Sequence, residues 1–216
     1  MRTVKPEPTP KIGRPERARA EIKTAALKFL RSRPFREMTV NALMEQTSLS
    51  RASFYNHFAD IYALMEALLG RLESAILEGA NPWLEESGDP VAMLHQSLAA
   101  EVALCYEWGP LLKAVSDAAG ADAALEATWH SFLDGFDPYV SERIAADQAL
   151  GLIDTFDPAL VASALNRANA AMYIREFGQM PRRKPGPVLD AISRLWISSL
   201  YGEQWGAKQS STLQRK

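Results

Sequence analysis

The chain has 216 residues, 47% of them hydrophobic, with 24 Lys and Arg against 26 Asp and Glu for a formal net charge of −2. That apolar content excludes a disordered chain and suffices for a sizeable core in one or two domains. The charge is divided unevenly: residues 1–60 carry twelve Lys and Arg against six Asp and Glu, and residues 61–216 carry twelve against twenty. A basic end on an acidic body suits an approach to phosphate, although a basic segment is equally well a solvated face.

No stretch approaches the roughly 20 apolar residues that a membrane helix requires. The N-terminus, MRTVKPEPTPKIGRPERARAE, is charged and broken by prolines with no apolar targeting segment, so a cytoplasmic protein is expected. The single cysteine, Cys105, lies in an apolar run between Leu104 and Tyr106. It excludes an intramolecular disulfide and reads as a buried small residue rather than a nucleophile.

Residues 1–15 hold Pro6, Pro8, Pro10 and Pro15 among Lys5, Lys11 and Arg14, which predicts an extended basic arm. From Arg17 onward, Ile22, Ala25, Ala26, Phe29 and Leu30 recur at helical spacing, predicting an amphipathic helix that ends before Pro34. Thr39 can cap a short helix through Gln46, with Val40, Leu43 and Met44 facing inward. Ser50 can cap another through about Phe58, with Ala52, Phe54 and Phe58 on its apolar side. Only Thr47 to Leu49 separate the two, so residues 16–60 read as a tri-helical helix-turn-helix domain. Asp60 then caps a long helix from Ile61 to about Leu77, with Leu64, Leu68, Leu72 and Ile76 along one side.

Beyond it, turn signals at Asn81-Pro82, Gly88-Asp89-Pro90, Gly109-Pro110, Asp137-Pro138, Asp157-Pro158 and Pro181 to Pro187 divide the remaining helical patterns. The expected helices are about 90–107, 110–119, 121–147 with a break near Pro138, 158–178 and 187–204. No strand-like alternation is sustained, so the fold class is all-α: a helix-turn-helix domain followed by a helical body over 61–205, with residues 206–216 a disordered tail. The last two helices are long enough to supply half of an intersubunit four-helix bundle, which places a homodimer contact at 158–204.

The segment TVNALMEQTSLSRASFYNHF, residues 39–58, resembles the signature of the TetR family of transcriptional regulators. The resemblance implies about nine helices per subunit, a dimer, operator DNA bearing an inverted repeat as partner, and a body that senses a ligand. It makes Thr39, Ser50, Arg51, Ser53, Tyr55, Asn56 and His57 the DNA-binding candidates. The physics agrees, since the first turn of a recognition helix presents free N–H groups and a positive dipole end, and Arg51 stands where it can meet a guanine edge. Phe54 and Phe58 would anchor the helix from behind. Outside such a motif, Tyr55 is a surface aromatic and His57 a satisfied capping histidine. Two positions depart from the family pattern: Ser48 occupies a turn position often held by glycine, and Ile61 stands where many members have a phosphate-contacting lysine. Lys11, Arg14 and Arg17 are the basic residues that would compensate, unless the arm merely solubilises.

In the C-terminal half, ALNRANAAMYIREF followed by VLDAISRLWISSLYGE is similar to the TetR branch typified by the ethionamide-resistance regulator, in which two asparagines one turn apart and several aromatics line a long apolar tunnel. The resemblance implies a small hydrophobic effector and ligand-binding roles for Asn166, Asn169 and Trp196, with Trp129 and Phe136 aligned from the TWHSFLDGF stretch. Tyr173 and, by a looser correspondence, Trp108 complete the set. Aromatics at helical spacing serve equally well as core. Two amides buried on an apolar helix without partners would cost about 1–3 kcal/mol each, so they require a ligand or an intersubunit hydrogen bond. There is no nucleophile elbow, phosphate loop, Cys-x-x-Cys or His-Glu-x-x-His, and only His57, His95 and His130 are available to a metal, so no enzyme, cofactor or metal is expected. The reading that follows is a repressor released from its operator by the effector. An activator of the same fold, or a helical carrier of hydrophobes whose helix-turn-helix is incidental, remains open.

Overall fold

Small polar caps begin the helices of the head in the computed structural model, which describes residues 13–85 and 88–202. Helix α1 (Arg14–Leu30) starts where the Glu16 carboxylate accepts the Gly13 N–H at 2.9 Å. A 3-10 turn over Phe35–Glu37 follows. Helix α2 (Val40–Met44) starts where Thr39 Oγ1 accepts from Ala42 N–H, and α3 (Arg51–Tyr55) where Ser50 Oγ accepts from Ser53 N–H. Each cap satisfies a donor that the helix itself leaves free. Ile22, Ala26, Phe29, Leu43, Phe54 and Leu64 are fully buried beneath these elements.

The extended arm expected through residue 15 needs correction at its end, because Arg14 and Pro15 form the first turn of α1. Proline is suited to that position, where its N–H would be unpaired anyway and its fixed φ is already helical. Residues 1–12, Lys11 among them, and residues 203–216, with the expected tail, lie outside the described residues. The turn before α3 is tied to α1 by Ser48, whose N–H and hydroxyl both donate to Glu21 Oε1 at 2.6 and 2.9 Å. Among the described residues no non-glycine has positive φ, so Ser48 closes this turn without the conformation that favours glycine.

Two helices run through prolines that the sequence reading took as boundaries. Helix α4 (Ile61–Glu85) is capped by Asp60, whose Oδ1 accepts Ala63 N–H at 2.8 Å, and it continues past Leu77 through Pro82. At the proline, Ser97 Oγ accepts Trp83 N–H at 3.2 Å and donates to the Ala80 carbonyl at 3.1 Å, so a neighbouring helix serves backbone groups on either side of the break. Helix α5 (Pro90–Ala119) likewise joins the expected 90–107 and 110–119 into one. Pro110 leaves the Tyr106 carbonyl, four residues earlier, without its helical donor, and Arg182 Nη1 donates to that oxygen at 2.7 Å.

The expected 121–147 segment divides into α6 (Ala123–Asp134) and α7 (Asp137–Ala149), with Pro138 in the first turn of α7 rather than at the break. Helix α8 (Pro158–Phe177) follows, and α9 (Pro185–Leu200) starts two residues before the expected 187 and stops short of 204. Among the described residues the fold is therefore nine α-helices, one 3-10 turn and no strand. Helix α5 is the axis of the body and packs on α4, α6, α8 and α9.

The α5–α8 crossing depends on Gly109, which is buried: a Cβ there would overlap the Phe177 backbone carbonyl. Gly70, in the middle of α4, has nothing within 4 Å of where a Cβ would stand. Helix propensity alone favours alanine over glycine by about 0.5–1 kcal/mol. Gly70→Ala should therefore stabilise the protein by that amount, whereas Gly109→Ala should destabilise it by about 1–3 kcal/mol through overpacking. Urea unfolding of both variants checks the pair, and a gain at Gly109 would mean that the crossing is looser than described.

Candidate functional site

Helix α3 divides its side chains cleanly between core and solvent. Phe54 is fully buried and Phe58 almost so, with their rings 5.7 Å apart, while Arg51, Tyr55 and Asn56 are exposed. The Arg51 guanidinium lies 5.7 Å from the centroid of the Tyr55 ring, and its Nη2 is 3.4 Å from Tyr55 Oη. That contact keeps the arginine extended along the outer face. Ser53, Asn56 and His57, together with Arg14 and Arg17 from the first turns of α1, border one shallow groove. Thr39 and Ser50 use their oxygens as caps and keep only the hydroxyl proton to offer elsewhere. The groove thus brings two arginines of α1 beside hydrogen-bonding groups on and just after α3, an arrangement suited to a nucleic-acid backbone and its base edges.

The body encloses a cavity of about 70 Å³ between α4, α5, α6, α7, α8 and α9. Trp83, Trp196, Phe132, Phe136, Leu98 and Tyr173 form much of its wall, with Ser97, Glu101 and Asn166 among its polar members. Of the ligand-binding candidates, Phe136, Asn166, Tyr173 and Trp196 reach it. Trp129 does not line it and stacks behind Phe132 at 5.6 Å, and Trp108 does not line it and lies under Arg71 at 5.7 Å. Asn169 stands one residue back, for it accepts Trp196 Nε1–H at 2.9 Å on Oδ1 and donates through Nδ2 to the Glu101 carboxylate at 3.3 and 3.4 Å. Asn166 Nδ2 donates to Asp137 at 2.8 Å. The asparagines therefore find intramolecular partners, an outcome different from both expectations. The void is compact and far smaller than the roughly 300–1,000 Å³ of a drug-sized pocket, so the long tunnel implied by the resemblance is not open in this conformation.

A second set of buried polar groups adjoins the same tryptophans. Trp83 Nε1–H donates to Tyr201 Oη at 2.9 Å, and Tyr201 donates to Asp147 Oδ2 at 2.7 Å. Arg143 Nε lies 3.0 Å from Asp147 Oδ1, out of hydrogen-bond alignment, and its guanidinium sits 5.7 Å from the Trp83 ring centroid. Burial and the Asp147 hydrogen bond raise the Tyr201 phenol well above its ordinary value, so it remains a donor. Trp83 meets Trp196 edge to face at 5.7 Å, which brings the two polar sets together. Glu101 and Asp147 were missed in the sequence, where acidic residues look scattered. A signal was present: Glu101 continues the stripe Leu94, Ser97, Leu98, Glu101, Cys105, and Asp147 the stripe Val140, Ile144, Asp147.

A basic groove on a tri-helical head, set on an all-helical body, is the architecture of a DNA-binding regulator. Residues 22–68 match the family model described as bacterial regulatory proteins, tetR family, and residues 95–202 match the one described as the C-terminal domain of transcriptional regulator EthR. This chain belongs to the TetR family of DNA-binding transcriptional regulators, in its EthR-like branch, and that family consists of regulators rather than enzymes. The chain is 26% identical over 188 residues to the HTH-type transcriptional regulator EthR of Mycobacterium tuberculosis (strain ATCC 25618 / H37Rv), covering 84% of this chain and 86% of the relative. It is 22% identical over 186 residues to EthR of Mycolicibacterium smegmatis, covering 85% and 86%. Among solved structures, Salmonella enterica GusR shares the fold with a TM-score of 0.71 at 18% identity, over 88% of this chain and 98% of that one. The regulatory protein TetR from Rhodobacter sphaeroides does so with a TM-score of 0.69 at 18% identity, over 85% and 98%. No helix among the described residues is long and apolar enough to cross a membrane.

Burial pushes the Glu101 carboxyl from its ordinary 4.5 up to about 7, against the opposing hydrogen-bonding influence of Asn169 and Tyr173. The native state therefore holds this proton more tightly than the unfolded chain, and native stability is lost as pH rises from 4.5 to 7. The loss amounts to about 3 kcal/mol by the usual conversion. Glu101→Gln, which matches the protonated form, should be more stable than the parent at pH 8, with the gap narrowing toward pH 5. Thermal unfolding across that range is the measurement, and a gap independent of pH would show that Glu101 does not titrate there.

Proposed function

We propose that this TetR-family regulator is a dimeric repressor which a small hydrophobic effector releases from an inverted-repeat operator. The observation that carries the reading is the position of the cavity: Ile76, Leu77, Ala80 and Trp83 from the far end of α4 border it, and the near end of α4 is built into the head. Occupancy changes operator affinity only if the effector favours a conformation whose two heads are wrongly spaced, because equal affinity for both states shifts nothing. Movement of α4 at Trp83 provides such a conformation. Phe136, Asn166, Tyr173 and Trp196 would touch the effector, while Asn169, Trp129 and Trp108 support that wall. A hundredfold loss of operator affinity needs about 2.7 kcal/mol of coupling, within the usual range for allostery.

On the DNA side, Arg51 is the base-reading residue, and Ser50, Ser53, Tyr55, Asn56, His57 and Thr39 make the surrounding phosphate and base-edge contacts. Arg14 and Arg17 supply the charge that Ile61 does not. Pairing of two chains through 158–204 is supported by the exposed Leu160 on α8 and Leu195 on α9, at 70% and 43% of full exposure. Acting on operator DNA places the protein in the cytoplasm.

Footprinting should reveal a palindrome whose half-sites lie about 34–36 Å apart or a multiple of that spacing, with affinity falling steeply in salt. Arg51→Ala should cost about 1–3 kcal/mol and relax base preference at one position, whereas Tyr55→Phe should weaken all sequences alike. Protection of a lone half-site, or an Arg51→Ala protein with unchanged preference, would contradict the assignment. Effector and operator must antagonise each other reciprocally, so a ligand that saturates the body without loosening DNA rules out the switch.

A further inference from the structure

We propose that the polar end of the body cavity, formed by Glu101 and Tyr173 with Asn169 behind them, selects an effector carrying a protonated amine on a compact apolar frame. The proposal deepens the reading of this cavity as the effector site and rests on it. A carboxyl group on an apolar wall is poorly placed unless something neutralises it. Among the described residues no Lys, Arg or His lines the cavity. Arg143, the basic side chain of the adjoining tryptophan cluster, is committed to Asp147. The hydrogen bonds that Glu101 receives come from Asn169 Nδ2 and are long, 3.3 and 3.4 Å.

A second observation points the same way. Tyr173 is 2% exposed and borders the cavity, and its hydroxyl, close enough to Glu101 to influence that carboxyl, has no partner in hydrogen-bond alignment among the described residues. A buried phenol oxygen beside a partly buried carboxyl leaves acceptor capacity on both, and an ammonium group brings three donors and the missing charge. Asn169 cannot turn to offer more, because Trp196 Nε1–H holds its Oδ1 at 2.9 Å. It is a positioning residue that aims the Glu101 carboxylate. The remaining wall suits a cation as well, since Trp83, Trp196 and Phe136 present aromatic surface to the same space. An anionic ligand would meet Glu101 with like charge, and a neutral alcohol or amide would leave the carboxyl without a counter-charge.

The other titratable groups around Glu101 sharpen the expected pH response. Tyr173 on α8, Cys105 one turn along α5 and Tyr139 on α7 are the remaining ionisable members of the wall, and burial raises both Cys105 and Tyr173, so they stay neutral. In the empty protein the Glu101 carboxyl titrates at about 7. Binding an ammonium ion favours the carboxylate, so below that pH amine binding must expel a proton, and affinity declines toward tenfold per unit as pH falls.

The test uses the full-length protein and two probes of nearly equal shape, 2-phenylethylamine and 2-phenylethanol, titrated by tryptophan fluorescence and calorimetry at pH 8 and pH 6. The amine should bind at least tenfold more tightly than the alcohol at pH 8, and the preference should shrink at pH 6 with proton release into the buffer. Glu101→Gln should bring the amine to the alcohol's affinity, and Tyr173→Phe should reduce the amine preference severalfold. Circular dichroism establishes that each variant is folded. Equal binding of both probes to the parent, or an amine preference that survives Glu101→Gln, overturns the proposal while leaving the cavity as an effector site. If neither probe enters the body, the effector-site reading falls and the proposal falls with it.

Discussion

Buried polar groups of the body take partners from other helices, and Asn169 shows how little freedom that leaves. Its Oδ1 accepts from Trp196 on α9, which turns Nδ2 toward Glu101 on α5. Beside this set, Trp83 on α4 donates to Tyr201 just beyond α9, and Tyr201 donates to Asp147 on α7. Losing any one of these partners strands a buried group at about 1–3 kcal/mol, a large part of the stability of a small protein. Five helices are therefore held in register by directional bonds as well as by apolar contact, and the void lies where the two sets meet. A molecule entering there must spread the Trp83–Trp196 contact, whose two indoles sit on α4 and α9.

The head is joined to the body through two helices, α4 and α5. Lys23 of α1 donates to the Ala67 carbonyl of α4 at 2.9 Å, and burial together with Arg19 and Arg71 lowers the affinity of that lysine for its proton. Leu64, Leu68, Phe29 and Ile22, all fully buried, belong to the same core. The other polar tie from α1 to the body, Arg31 to Glu107 at 2.8 Å, is half-exposed on both partners. An ion pair of that kind contributes about 0–1 kcal/mol. Helix α1 and the Phe35–Glu37 turn also pack on α5, so the head is joined to both α4 and α5.

Much of the head was legible because its information is local. Thr39, Ser50 and Asp60 announce their helices through side chains that reach backbone groups three residues away, and Phe54 and Phe58 declare the inner side of α3 by spacing alone. The body was legible only in outline. Pro82 and Pro110 look like helix ends because the rule for proline concerns the chain's own ladder. In the folded protein, the groups they disturb are served by Ser97, 14 residues from Trp83, and by Arg182, 76 residues from Tyr106. No pattern within one helix reveals a donor supplied from so far away. The asparagine pair was legible as unusual, but its partners were not, since Trp196 and Glu101 come from helices on either side.

The exceptions to local rules in this body differ in how well they are compensated, and that difference separates architecture from function. Backbone groups on either side of Pro82 have a partner in Ser97, and the carbonyl freed by Pro110 has one in Arg182. Asp147, an acid on an apolar stripe, accepts a short hydrogen bond from Tyr201 and lies against the Arg143 guanidinium. In these departures the disturbed backbone group or the acid itself has a partner, and they hold α4, α5, α7 and α9 together. Glu101 is an acid on an apolar stripe of the same kind, yet its hydrogen bonds are long, and the neighbouring Tyr173 hydroxyl has no partner in hydrogen-bond alignment among the described residues. Both border empty space rather than another side chain. A fold selected only for stability would gain by replacing such a carboxyl with leucine, because a buried, poorly paired polar group costs free energy that an apolar neighbour would not. Its presence is best understood as unfinished recognition, with the remaining partner supplied from outside the chain.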